Sequence, residues 1–458
     1  VIPCGTMDRP RSPVHQIVNA LGLALRELGA TPAPEDLERW GFAVHAALSA
    51  PGREFHNHEH VLALADGSDG DPLDVIAALY HDVVYLQVDQ GPPASLRGDF
   101  ATVCEKADGG WRLLPAPTQA VADVYAVFGR AAGDVVGPMS GANELASALI
   151  ASLHLGDVLD RWSRLTVAMG IEQTIPFRAD PVPAMHARAQ ALGAPADRLD
   201  AMVRQAVRFG NHDVENFAYA DPGRFLDSTW KLLPESNPSL FSPTVYTVRD
   251  YRIALMKMEG FLAALPPERV FHAWGSEPGE AIHAARVAQT AINVALAVRY
   301  LRAKLYSIAI VEALCEATGG DVPLDYFMGG LVTPDDPDPR RVEGFLPAVA
   351  RAADLDPTLD ALLTAGRASA SSFDTGPSPL AAFLYATCPA AAIADGLDGA
   401  RALWADAVTP LAFLRAQPAA AIAPIAAAAA EVAETRGPAL RALAAELTAA
   451  ATAAARPA

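Results

Sequence analysis

The sequence predicts an all-α protein with two or three cores. Apolar residues recur at helical spacing along almost the whole chain, no convincing apolar/polar alternation marks a strand, and the stretch beyond residue 340 is rich in alanine, the strongest helix former. With 458 residues, 51% of them hydrophobic, the chain exceeds the roughly 250–300 residues at which single cores tend to split.

The elements follow in order. Residues 14–28 carry the first helical stripe, Thr31-Pro32-Ala33-Pro34 interrupts it, and Glu35-Asp36 opens a second helix with carboxylates at its positive end. Residues 57–65 and 73–85 read as the next two helices. Between residues 90 and 143 the pattern weakens around Gly91-Pro92-Pro93 and Gly109-Gly110, which reads as an insertion holding one or two short helices. Helical spacing resumes over 144–155, 160–171, 183–192 and 200–208, and a turn after the last carries Gly210-Asn211-His212-Asp213. Residues 248–265 form an amphipathic helix, and 279–317 one long helix or two abutting ones. The Gly, Pro and Asp content of 319–341 marks a domain boundary, with 333–341 as a solvated linker. Three alanine-rich helices, 380–394, 399–416 and 439–454, then pack closely as a bundle. The expected domains are 10–240, a helical extension over 241–320, and an alanine-rich domain over 340–458.

The charge narrows the function. There are 53 acidic side chains against 35 basic ones, for a formal net charge of −18. Such a surface repels phosphate backbones and anionic lipid heads, which argues against a nucleic-acid duplex or a membrane surface as partner. Cys4, Cys104, Cys315 and Cys388 lack CxxC spacing, so neither a zinc knuckle nor a secreted disulfide framework is expected, and the cytoplasm is the expected compartment. Residues 1–6 lack a signal-peptide pattern, and Met7 reads as the native initiator. The most apolar stretch, 419–430, is interrupted by Pro424 and falls short of the roughly 20 residues a spanning helix needs.

Two strings carry the chemistry: Phe55-His56-Asn57-His58-Glu59-His60, and Tyr80-His81-Asp82-Val83-Val84-Tyr85. On a helix running through the first, His56 and His60 share one face, while the His81-Asp82 doublet offers an imidazole and a carboxylate side by side. Histidine with carboxylate suits Zn, Fe, Mn or Mg, and one or two such ions are the expected cofactor. His58 points away from the shared face and reads as a surface residue.

These strings resemble the HD-domain superfamily of metal-dependent phosphohydrolases, an all-helical group that includes the cyclic-nucleotide phosphodiesterases. The resemblance spans residues 35–230. It implies an HD-type domain in which His60, His81, Asp82 and a distant aspartate hold the metal. It also implies that His56, in Phe55-His56-Asn57, protonates the leaving oxygen of a small anionic phosphate-containing substrate attacked by metal-activated water. Asp213 is the preferred distant ligand because Ile171-Glu172-Gln173-Thr174 before it looks like the segment preceding the last ligand in small bacterial members. Asp157, in His154-Leu155-Gly156-Asp157, is the alternative. Tyr85 stands where phosphodiesterases carry another histidine, Phe55 replaces their tyrosine, and no nucleotide clamp is recognisable, which argues against cyclic-nucleotide specificity. Two other readings stay open. One is a degenerate domain that binds a protein partner or a second copy through the C-terminal helices. The other is a di-iron oxygenase recruiting His154, His186 or His212.

Overall fold

A computed structural model describes residues 11–137, 140–242, 244–331, 336–349, 355–369 and 371–454. Cys4, Met7 and residues 333–335 of the expected linker lie outside them.

Start signals legible in the sequence open the first helices. Proline at the first turn begins α1 (Pro13–Glu27) and α2 (Pro34–Leu48), where its missing N–H costs nothing. Asn57 and Asp71 cap α3 (His58–Asp66) and α4 (Pro72–Tyr80) through their side-chain oxygens. The weakly patterned insertion holds α5 (Arg97–Val103), α6 (Gln119–Val127) and a small antiparallel sheet. Its strands β1 (Cys104–Ala107), β2 (Gly110–Leu113) and β3 (Val135–Val136) pair in sequence order. Segments this short leave no room for the alternation that betrays a strand. Then come α7 (Ala142–Leu155), α8 (Arg161–Gln173), α9 (Val182–Ala191) and α10 (Ala196–Asp213).

The later helices are α11 (Pro222–Ser236), α12 (Val248–Ala264), α13 (Glu280–Thr318), α14 (Leu324–Met328), α15 (Pro357–Thr364), α16 (Pro379–Thr387), α17 (Ala390–Trp404), α18 (Pro410–Ala416), α19 (Ala419–Val432) and α20 (Gly437–Ala454). The all-α class is therefore borne out. Among the described residues no helix is long and apolar enough to cross a membrane.

Two compact units form. One joins the chain up to Ala218 to Pro266–Thr290; the other joins Tyr219–Leu265 to Ala291–Ala458. The extension expected over 241–320 thus does not stay together, because residues 266–290 fold back onto the first unit. Asn211 holds that segment, donating from Nδ2 to the His272 carbonyl and accepting from His272 N, both at 2.8 Å. The chain re-enters as a single 39-residue helix, α13, which passes from the first unit into the second at Ala291.

Within the first unit α8 is the central rod, buried from Leu165 to Gln173 and packed against α4, α7 and α10. Close approach explains two glycines: a Cβ on Gly210 would lie 2.8 Å from Gln173 Cβ, and one on Gly170 would lie 3.3 Å from the Phe209 ring. The core around the rod includes Ile17, Leu21, Val44, Ile76, Leu79, Leu149, Met169 and Val207. In the second unit the buried face of α13 carries Tyr300, Leu301, Tyr306, Ile310 and Leu314, and the alanine-rich α19 and α20 pack side by side. Leu149 is fully buried in the first core, and truncating it leaves a cavity. Leu149→Ala is expected to lower unfolding free energy by about 2–5 kcal/mol, read from urea denaturation.

Candidate metal centre

The Asn57 cap decides where the first histidines stand. Its backbone is extended (φ −115°, ψ −176°), and its Oδ1 accepts from Glu59 N at 2.9 Å and His60 N at 3.3 Å. The helix therefore begins at His58, and His56 lies in the bend before it, off the helical face expected for it. The His56 and His60 rings still meet edge to face, with centroids 6.2 Å apart.

The expected helix over 73–85 also ends early, at Tyr80, which leaves His81 at its C-cap and Asp82 in the following turn. His81 Nδ1 lies 2.8 Å from the Ala78 carbonyl oxygen. A carbonyl only accepts, so Nδ1 carries a proton, and Nε2 is the nitrogen turned toward the carboxylates. Asp213 is not in a turn: α10 continues through it, and its carboxylate projects from the last helical residue.

These elements bring four side chains together. Asp213 Oδ1 lies 3.2 Å from His60 Nε2 and 3.3 Å from His81 Nε2. Asp82 Oδ2 lies 2.9 Å from His81 Nε2 and 3.6 Å from His60 Nε2. Among the described residues, His60, His81 and Asp82 form a group whose ligand atoms all lie within 4.8 Å of one another. His81 is 1% exposed, and the other three keep 15–18% of their side-chain surface. His81 Nε2 and Asp82 Oδ2, 2.9 Å apart, are both buried, and they face each other at an angle poor for a hydrogen bond. With Nδ1 donating to Ala78, Nε2 meets the carboxylates either as the second N–H of an imidazolium or, once deprotonated, across a cation.

The electrostatics express the same demand. Burial works against a charged His81, yet Asp82 and Asp213 overcome it and hold its pKa well above the usual value. Burial likewise opposes ionisation of Asp82 and Asp213, and the facing imidazoles, His81 foremost, nonetheless keep both carboxyls below the usual range. Two imidazole nitrogens with two carboxylates match the donors that Zn, Fe or Mn accept. The residues present fit a divalent ion.

Around the cluster, Arg53 ties its two strings together. The side chain is fully buried, and it makes a fork with Asp89 (Nε to Oδ1 3.0 Å, Nη2 to Oδ2 2.5 Å). It also donates from Nη1 to the carbonyls of Asp82 at 2.6 Å and His56 at 3.3 Å. His56 stands edge-on to Tyr85, centroids 4.7 Å apart, and its charge helps hold Asp82 ionised. Glu144, half-buried in the first turn of α7, has its carboxyl pushed up to about 7 by burial, with the Asp82 and Asp213 charges adding to it.

The remaining histidines divide. His154 is occupied at both nitrogens, Nδ1 by the Tyr80 hydroxyl at 3.1 Å and Nε2 by Asp99 at 3.3 Å. His186 packs on Trp274, centroids 5.0 Å apart. The His212 ring lies over Gly67, where a Cβ would come within 2.6 Å of it. His58, expected on the surface, is half-buried beside His45, centroids 5.8 Å apart. Asp157 is exposed in the turn after α7.

Arg53, Asp89 and Glu144 were not identified from the sequence. The one signal for Arg53 is its place two residues before the first string; Asp89 and Glu144 belong to no pattern. No family model, no curated protein and no solved structure matches the chain.

Removing Arg53 strands the Asp89 carboxylate, which is only 3% exposed. Arg53→Ala is expected to cost about 3–5 kcal/mol in urea denaturation, with Arg53→Lys recovering only part because it cannot make the fork. A second expectation concerns the distant aspartate. Asp213→Asn should lower metal occupancy, measured by elemental analysis after loading with Mn²⁺, whereas Asp157→Asn should leave it near the parent value; the reverse pattern would transfer the ligand role to Asp157.

Proposed function

We propose that the chain is a metal-dependent hydrolase of phosphate esters or phosphodiesters, of the HD type, with His60, His81, Asp82 and Asp213 holding a divalent ion. The observation that carries this reading is the orientation of His81: Nδ1 donates to the Ala78 carbonyl, so Nε2 faces two carboxylates at 2.9 and 3.3 Å. When bound, such an ion neutralises phosphoryl charge and lowers the pKa of water.

The chain's own residues supply the rest. Hydrogen bonding at Nδ1 fixes the orientation of His81, a device that raises the basicity of the other nitrogen. Arg53 holds the backbone carbonyls of His56 and Asp82 to one guanidinium, so the proposed proton donor and the proposed ligand keep their spacing. His56 lies outside the ligand cluster but beside it, against Tyr85 and Phe55, where a protonated imidazole can serve the departing oxygen. The oxygenase alternative calls for further histidine ligands, and His154 already has partners at both ring nitrogens.

Metal-loaded protein assayed against a panel of phosphomonoesters and phosphodiesters tests the reading. Turnover should vanish with a chelator and return with Mn²⁺ or Zn²⁺; a folded, metal-loaded protein that turns over no member of the panel, or turnover indifferent to the chelator, would contradict it. The two histidines should then separate. His56→Ala is expected to keep its metal and lose about 10²–10⁴-fold in rate on alkyl esters, with a smaller loss on nitrophenyl esters, whose leaving group needs no proton. His60→Ala should lose metal and rate together on every substrate.

A further inference from the structure

Helix α7 carries a polar stripe within its largely buried length. Asn143, Ser147 and His154 fall within roughly 40° of one another around a helix of about 3.6 residues per turn. Each of them holds the segment that bears the His81-Asp82 doublet. Val84 N donates to Ser147 Oγ and Leu86 N to Asn143 Oδ1, both at 3.1 Å. On the other side of the doublet the Tyr80 hydroxyl meets His154 Nδ1, also at 3.1 Å. One helix thus grips the chain before His81 and after Asp82.

The contacts differ in kind. Ser147 and Asn143 accept from backbone N–H groups, which need an acceptor in any buried turn whatever its sequence. The Tyr80 contact is made by side chains alone, and a phenyl ring would fill the same space. Tyr80 is fully buried as the last residue of α4, so its hydroxyl requires a partner at that place. Trp40 lies nearly parallel to the His154 ring, centroids 6.1 Å apart, and backs the imidazole.

Asp99 decides which nitrogen of that imidazole is free. Its Oδ2 lies 3.3 Å from His154 Nε2, and burial holds His154 below its usual pKa, which keeps the ring neutral near neutral pH. A carboxylate only accepts, so the one proton sits on Nε2 and Nδ1 accepts from the Tyr80 hydroxyl. Asp99 belongs to α5, inside the insertion, and keeps 48% of its side-chain surface. The insertion therefore reaches the end of α4 through one imidazole.

We propose that His154 is a positioning residue for the metal centre: by accepting from Tyr80 it fixes the end of α4 at which His81 stands, and Asp99 of the insertion holds it in the form that can accept. The inference rests on the metal-centre reading. It deepens that reading by making metal affinity depend on a residue of the insertion.

A double-mutant cycle on the full chain tests it, with the Mn²⁺ dissociation constant as readout for Asp99→Asn, Tyr80→Phe and the two combined. Each single variant is expected to bind Mn²⁺ about threefold or more weakly, the scale of one net hydrogen bond. The combined variant should bind no more weakly than Tyr80→Phe alone, because Asp99 acts through that hydroxyl. A bare charge effect of Asp99 would instead persist without the hydroxyl, and a packing role would lower stability to urea while leaving Mn²⁺ affinity at the parent value; either result overturns the proposal. If Tyr80→Phe does not fold, Asp99→Asn decides at high salt, where a bare charge effect is screened: weaker binding supports the proposal and parent affinity overturns it. A parent chain that takes up no Mn²⁺ removes the metal-centre reading and this inference with it, whereas parent uptake with unaltered variants removes this inference alone.

Discussion

Two imidazoles and two carboxylates meet where little water reaches, and positive charge is what holds them together. The Ala78 carbonyl accepts a hydrogen bond from His81 Nδ1, which turns Nε2 toward Asp82 and Asp213. In a largely dry interior such a meeting of acceptors is stable only around positive charge. An excess proton can supply it, and a divalent ion supplies twice the charge at one point. The surrounding architecture serves this meeting: α4 stops at Tyr80 so that the doublet faces inward, and α10 runs to its last residue to deliver Asp213.

Arg53 is the counterpart of that constraint on the scaffold side. A buried guanidinium needs acceptors in a fixed fan, and here they come from Asp89 and from the carbonyls of His56, Asp82 and Val83. One side chain thereby fastens the bend carrying His56 to the turn carrying Asp82. His60 and Asp213 stand on helices, and the arginine gives the bend of His56 and the turn of Asp82 a defined structure beside them.

Much of this was legible in the sequence, and the reasons are local. His60 and the His81-Asp82 doublet show because histidine and aspartate stand together in short strings flanked by helical apolar residues. Asp213, 153 residues from His60, came into view through resemblance to a family pattern, since no spacing rule spans that distance. The helical class was legible because periodicity accumulates over long segments. What escaped depends on tertiary contact. Reading His56 onto a helical face ignored Asn57, whose cap begins the helix at His58, two residues after His56. The strands at Cys104–Ala107 and Gly110–Leu113 are too short to show a period. Arg53 and Asp89 form a pair only after folding, and the return of residues 266–290 to the first unit is written in contacts such as Asn211 with His272.

Metal stoichiometry tests the central claim most directly. Equilibrium binding of Mn²⁺ to the chelator-stripped full chain, followed by loss of the free-ion electron paramagnetic resonance signal, should show saturable uptake of one or two ions per chain. The same titration of His81→Ala, with its fold checked by circular dichroism, should show that uptake abolished or weakened by at least about tenfold. No saturable uptake by the parent chain, or equal uptake by the folded His81→Ala protein, would contradict the account.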